Sequence, residues 1–492
     1  MTILIKVLQL LLSLSILIFI HELGHFLAAK AFKTRVEKFY LFFDWGFSLF
    51  RCKKVNGEWR FKFFSKNVPE KYTTTEYRDA RGKKQTKYEP IDLSTLSEDD
   101  WRQSDETEYG IGWIPLGGYN KIAGMVDESM DKSQMQQPPQ PWEYRFKPAW
   151  QRFIITVAGV FMNVVLAIAI YIGLLTKEGE QYLPTSEVNK FGISVDSLGY
   201  ELGFRDGDKI LAIDGEYIEK FQDIPMQIIL DKAKTVQVER NGKDTVINLP
   251  EDAVTKLLSS QDAVFISYRI PFVVAKVVDN SAAQSGGLQS GDVIIGINDI
   301  QTPYYQDFVK NIKRFRNQDI NVIVLRDSDT LTLAMHLSDE GVIGAYTETY
   351  LTDYFDLETK EYTFLQAIPA GFSKTFTELG DYWKQVKLIF TPKTKAYESV
   401  GGFISIGKIF PDQWVWSIFW RMTAFLSIAL AVMNILPIPA LDGGHILFIL
   451  VEIITRRKPS DKFMEVAETI GLILVLGLVI LANGNDIIRL FK

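Results

Sequence analysis

The 492-residue sequence predicts an α-helical polytopic membrane protein of four spans with two β-rich modules inserted between spans. Three observations predict it. Apolar residues gather in four stretches, 8–31, 153–175, 423–454 and 469–482. The third is interrupted, and the fourth must borrow flanking residues to reach the ~20 that cross a bilayer. A long polar region of ordinary soluble composition separates the second stretch from the third, and within it one segment recurs at a fixed offset. Ionisable residues lie inside two of the apolar stretches, where they are costly unless they face a protein interior and meet a partner.

The first stretch carries His21-Glu-Leu-Gly-His25. A helix sets His21 and His25 one turn apart on one face, so two imidazole nitrogens can converge on one divalent ion with Glu22 beside them. Lys6 ahead of an apolar run also fits a secretory signal, but no small-x-small site closes the run before the motif, so a retained span is expected. Basic residues after the first stretch (Lys30, Lys33, Arg35, Lys38) and between the last two (Arg456, Arg457, Lys458) put those loops in the cytoplasm. The polar region from about Lys177 to Asp412 is then outside.

From Arg35 to Lys62 the chain is rich in aromatics, and Asn56-Gly57 between alternating side chains signals a β-hairpin. The insert from Lys66 to Glu108 reads as a mobile loop. Gly110 to Tyr119, punctuated by Gly117 and Gly118, reads as an extended segment at the membrane surface or a glycine-rich turn. The run ending at Pro141 is a linker, and Trp150 and Arg152 mark the membrane interface. Asn163, alone in the second stretch, reads as an interhelical hydrogen-bond contact.

In the outer region Leu202 to Gly215 realigns on Gly286 to Asp299, each a Gly-Asp turn running into an alternating strand. The pattern resembles PDZ domains, with Asp299 departing from the expected glycine. It implies small modules that take an extended peptide by strand addition. From Thr363 to Phe390 apolar and aromatic residues recur with helical spacing. This predicts an amphipathic helix, broken near Pro369, either on the outer membrane face or against the β-rich pair. The net charge of −6 is spread out, which gives no support to nucleic-acid binding, and the lone Cys52 excludes an intramolecular disulfide.

A catalytic zinc site takes three protein ligands, so a further polar residue inside a span is required. Asp442, in Asn434-Ile-Leu-Pro-Ile-Pro-Ala-Leu-Asp-Gly-Gly444, is the candidate, and His445 is its rival. At about 1.5 Å per residue, His21 lies roughly 20 Å and Asp442 at most about 30 Å from the outer face, so both fall in the inner half of the bilayer. A carboxylate ligand also lets the metal and one hydroxide sum to neutrality, the cheapest state in a low-dielectric site.

Together, HELGH, NxxPxPxLDG, the repeated modules and the Gly-Gly-Tyr loop resemble the site-2 protease family of intramembrane zinc metalloproteases over essentially the whole chain. The resemblance implies one Zn²⁺ per chain held by His21, His25 and Asp442, with Glu22 as catalytic base and Asn434 contacting the substrate backbone. Gly117, Gly118 and Tyr119 would belong to a membrane re-entrant β-hairpin that guides substrate. Gly402-Phe403 stands where the family commonly has Gly-Pro, and Ala158 to Asn163 lacks the family's proline. The implied substrates are single-span membrane proteins in the lipid bilayer, cut after a first, site-1-type protease has acted outside. The implied location is the bacterial inner membrane, with the PDZ-like pair periplasmic and the active site in the cytoplasmic half. The alternative is a catalytically inactive membrane PDZ adaptor, which has no need of Glu22. Expected boundaries are 1–33 for the first span, 34–149 for the cytoplasmic hairpin region with its polar insert, and 150–176 for the second span. The PDZ-like modules follow at 177–255 and 262–340. A membrane-surface helical segment occupies 341–398, the third span region 399–456 and the fourth span 460–492.

Overall fold

The computed structural model describes residues 2–67, 72–78, 84–97, 100–115, 117–125, 139–259, 264–347, 350–394 and 396–490. Residues 135–138 of the linker that ends at Pro141 lie outside them, as do residues 260–261 of the expected connection between the modules and 262–263 at the expected start of the second. The chain divides into two compact units. One holds residues 1–177, 362–383 and 400–492, and the other holds 178–361 and 384–399.

Among the described residues, four helices of the first unit are long and apolar enough to cross a membrane. They run over Thr2–Ala31, Ala149–Glu178, Trp416–Ile435 and Asp461–Leu490. The third ends because Leu436 precedes Pro437 and takes the extended φ of −59° and ψ of 140° that a following proline imposes. A short loop follows, and a separate helix starts at Asp442 and runs to Thr455. The interruption expected at Pro437 and Pro439 is therefore a complete break.

After the first helix the chain forms β1 (Val36–Leu41), β2 (Phe47–Val55), β3 (Glu58–Lys66), β4 (Tyr72–Arg78), β5 (Lys84–Pro90), β6 (Glu108–Ile111) and β7 (Tyr119–Ile122). Val55 pairs with Glu58 across Asn56 and Gly57, whose φ values of 50° and 85° make the two-residue turn that Asn-Gly favours. One sheet runs β3-β2-β6-β1-β7, with β1 parallel to β6 and antiparallel to β7. β4 and β5 form a separate seven-residue antiparallel ladder, so the insert expected to be a loop contains a hairpin. Its low hydrophobicity concealed it. The Thr and Tyr residues of Tyr72–Arg78 are of the types that favour strands.

The second unit holds the repeat. Strand 209–213 pairs with 235–240, and strand 293–297 pairs with 319–326. Each copy has the same clamp: buried Asp208 accepts from Arg240 Nε and Nη2 at 2.7 Å each, and buried Asp292 accepts from Arg326 Nε and Nη2 at 2.6 and 2.7 Å. The arginine also donates to Gly203 O in one copy and Gly287 O in the other, at 2.9 Å in both. The turns differ as Asp299 led one to expect. Asp214 and Gly215 both have positive φ, whereas in the second copy Asn298 does and Asp299 does not.

Two boundaries move. Strand Ile266–Tyr268, expected in the second module, pairs with Ile193–Val195, and Phe265, Ile266 and Ile270 enter the first core. Strand Ala345–Thr347, expected in the helical segment, closes the second sheet against Phe272–Val277. Chain order misled because each module takes its closing strand from beyond its own hairpins.

The amphipathic helix runs unbroken over Phe364–Ile389, with Pro369 inside. Proline so close to the amino end removes one intrahelical hydrogen bond, and the helix continues beyond it. Gly371 packs on Ile172 of the second helix, and the Glu378 carboxylate accepts from Tyr171 Oη. Leu388 and Ile389 join Leu230 and Ala396 in a small core of the second unit. Neither expected placement describes the whole helix.

Candidate active site

The first helix presents His21 and His25 on one face, their ring centroids 4.8 Å apart. Asp442 reaches the same point from the first turn of its helix, where a carboxylate suits the helix dipole. His21 Nε2 and His25 Nε2 lie 3.2 Å apart, and Asp442 Oδ2 is 3.2 Å from the first and 3.3 Å from the second. Oδ2 is buried and has no hydrogen bond of sound geometry. Ligands about 2.05 Å from one zinc ion at tetrahedral angles sit about 3.3 Å from one another, so the three atoms match the edges of such a site. His445, the rival, lines the same cavity without joining this cluster.

Each imidazole is oriented from behind. His25 Nδ1 lies 2.8 Å from the Ile155 carbonyl, which can only accept, so Nδ1 carries the proton and Nε2 presents its lone pair. His21 Nδ1 faces the Asn163 amide at 3.2 Å. Asn163 is fully buried on the second helix, so the residue read as a plain interhelical contact holds a site histidine. Gly159, one turn before it, makes the room: a Cβ there would lie 2.3 Å from His25 Nε2 and 2.8 Å from His21 Cε1. Gly24 likewise admits the second helix, since its Cβ would meet Ala158 O at 2.3 Å. Sequence reasoning missed Gly159. A small residue one turn from an amide inside an apolar stretch was the available signal.

The cluster opens on a cavity of about 980 Å³ that is also lined by Glu22, Asn434, Gly118 and Tyr119. Asn434, in the last turn of the third helix, has Nδ2 3.5 Å from His21 Nε2. Among the described residues β7 is the end strand of its sheet and pairs with β1 alone, so its backbone is the sheet edge at the cavity. Asn120 ties that strand to the histidine helix. In the amide orientation that gives both ends a partner, it accepts from Phe26 N–H at 3.0 Å and donates to Lys38 O at 3.3 Å. The Tyr119 ring stacks on Tyr40, with centroids 5.3 Å apart, and its hydroxyl donates to Asp44 at 2.9 Å. Its side chain is thus committed within the sheet. Gly117 and Gly118 sit where a Cβ would strike the Phe43 ring at 2.5 Å and Tyr40 O at 2.7 Å, which explains both glycines by packing.

The profile of peptidase family M50 matches residues 9–66 and 100–478. The stretch it skips, 67–99, contains the β4–β5 hairpin. Curated relatives include the protease RseP of Yersinia pestis, 28% identical over 414 residues, covering 79% of this chain and 89% of that one. The regulator of sigma E protease of Haemophilus influenzae is 27% identical over 411 residues, with the same coverage of 79% and 89%. A Clostridium perfringens relative with the provisional name of zinc metalloprotease is 26% identical over 482 residues, 97% of each chain.

Proposed function

The chain belongs to peptidase family M50 and is a site-2-type zinc metalloprotease, and we propose that it cuts single-span membrane proteins within their membrane segment, through one zinc ion held by His21, His25 and Asp442. The observation that carries the ligand assignment is the triangle of 3.2 to 3.3 Å between two imidazole nitrogens and one carboxylate oxygen. With His25 Nδ1–H held by Ile155 O, its Nε2 lone pair and Asp442 Oδ2 meet at one point, and His21 Nε2 joins them when the Asn163 amide is turned so that its buried Oδ1 accepts from His21 Nδ1–H; three such acceptors repel one another unless a cation sits there.

Bound zinc supplies Lewis acidity at that point. The protein's own residues do the rest. Glu22, on the cavity wall beside the histidines, takes the proton from the attacking water and passes it to the leaving amine. Asn434 donates to a carbonyl of the bound peptide from beside His21. The substrate must be extended, because a helix keeps its carbonyls in its own hydrogen bonds. Among the described strands β7 ends its sheet, and its outer edge is the place to receive the peptide as an added strand. Helix-breaking substitutions in the substrate span should therefore raise the cleavage rate, and a rate indifferent to them would remove the unwinding step.

By the positive-inside pattern the centre lies in the cytoplasmic half of the membrane, and the β-rich modules, which we read as PDZ-like, lie outside. That arrangement suits a second cut, made after another protease has trimmed the substrate's outer part. The reaction is tested with Glu22→Gln and Asp442→Ala in the full chain, assaying zinc content and cleavage of a reconstituted single-span substrate. Glu22→Gln is expected to keep its zinc and lose about 10²–10⁴-fold in rate, whereas Asp442→Ala loses both. Zinc retained by Asp442→Ala but lost by His445→Ala would overturn the ligand assignment.

A further inference from the structure

The fourth apolar helix has no part in the chemistry above, yet it makes the tightest backbone approach of any described glycine. A Cβ on Gly471 would fall 1.8 Å from the Pro439 carbonyl oxygen and 2.3 Å from its carbon. The obstacle is backbone, with no flexible side-chain end that could swing away. The loop also has little room to retreat. On its other flank a Cβ on Gly444 would already be 2.6 Å from Pro439 Cα, and one on Gly443 would be 2.1 Å from Leu436 O. Between these contacts Ala440 is held at φ 79°, a left-handed conformation that costs any residue with a side chain. Asp442 follows two residues later. Glu468, Leu472 and Val475, on the same face of the fourth helix as Gly471, line the cavity that holds the two histidines.

We propose that Gly471 is a positioning residue for the metal centre. Lacking a side chain, it lets the fourth helix lie directly on Pro439 and hold the Pro439–Ala440 backbone, and through it the Asp442 carboxylate, where that carboxylate meets His21 and His25. The inference rests on the reading of those three residues as zinc ligands. It differs from a role in general packing because it predicts a change in ligand geometry caused by a residue that touches no ligand.

The test uses the full chain in lipid nanodiscs, with zinc affinity measured by chelator competition and ligand geometry by the visible spectrum after cobalt(II) substitution. Gly471→Ala is expected to weaken zinc at least about tenfold, the usual scale for residues that orient ligands from behind, and to shift the cobalt bands. Gly477→Ala lies on the same helix with nothing within 4 Å of the added Cβ, and should change neither. Ala440→Gly, which lets the loop yield, should restore most of the lost affinity when combined with Gly471→Ala. Wild-type affinity and spectrum in Gly471→Ala would overturn the proposal, as would a double variant no better than the single one. Failure of the unaltered chain to bind zinc, or undiminished binding by Asp442→Ala, would instead overturn the ligand reading together with this inference.

Discussion

Gly159→Ala adds one methyl group at the most crowded point behind the two histidines. Its Cβ would be 2.3 Å from His25 Nε2, whereas an ordinary contact is at least 3.4 Å, so the two atoms must separate by about 1.1 Å. Withdrawing the second helix would instead open the close crossing at Gly24 and Ala158, which gives up packing along both helices. The imidazole must therefore turn, which breaks the 2.8 Å hydrogen bond from Nδ1 to Ile155 O and swings Nε2 off the shared point. Metal–ligand distances tolerate only about 0.2 Å, so a shift of about 1 Å removes His25 as a ligand. Loss of one ligand of three should weaken zinc by at least about 100-fold, or about 2.7 kcal/mol. The assay is zinc affinity by chelator competition on the purified full chain, with Gly173→Ala as control, since a Cβ at Gly173 meets nothing within 4 Å. Because alanine has the higher helix propensity, any loss cannot be assigned to a weakened helix. Zinc binding within about threefold of the unaltered chain would refute the view that the two helices are fitted around the imidazoles.

Asn163→Ala should weaken zinc by about 10- to 100-fold while leaving cleavage measurable at saturating zinc, since it removes an orienting partner and no ligand; unchanged affinity would return Asn163 to a simple helix contact. Arg326→Met should destabilise the second module, because it strips Asp292 of two charge-assisted hydrogen bonds, as read by denaturant unfolding of the full chain. Burial pushes the Asp292 carboxyl up, but the Arg326 guanidinium outweighs it and holds the pKa below the usual carboxylate value. The stabilisation is thus complete above about pH 4 and disappears as pH falls through the lower folded pKa, a loss that Arg326→Met should abolish. If the β-rich unit excludes untrimmed substrates, a chain lacking residues 179–361 should cut untrimmed substrate and cut trimmed substrate about as before. A fall in both would instead mark the unit as a recruiting device.

Local pattern determined much of this protein without any tertiary information. Apolar length made the four long helices legible, and the two-residue period around Asn56-Gly57 did the same for the first hairpin. Helical geometry alone placed His21 and His25 on one face, because residues four apart share a face in any α-helix. Pro437 signalled its own chain break, since proline disfavours the helical conformation in the residue before it, although Ile368 stays helical ahead of Pro369. The β4–β5 pair was hidden because its two segments, Tyr72–Arg78 and Lys84–Pro90, are polar and carry hardly any hydrophobic period to read. The closing strands of the two modules were misassigned because strand pairing is decided by which edge lies open in space, wherever the strand falls in the chain. The choice of Asp442 over His445 by the metal cluster is of the same kind. Both are polar, lie one helical turn apart and line one cavity, and only the tertiary placement of the Asp442 helix decides which of them groups with the imidazoles. Asn163 and Gly159 lie at close approaches between helices remote in sequence, and Gly471 at one between a helix and the Pro439 loop. A glycine's missing side chain acquires meaning only when another backbone occupies the space it leaves.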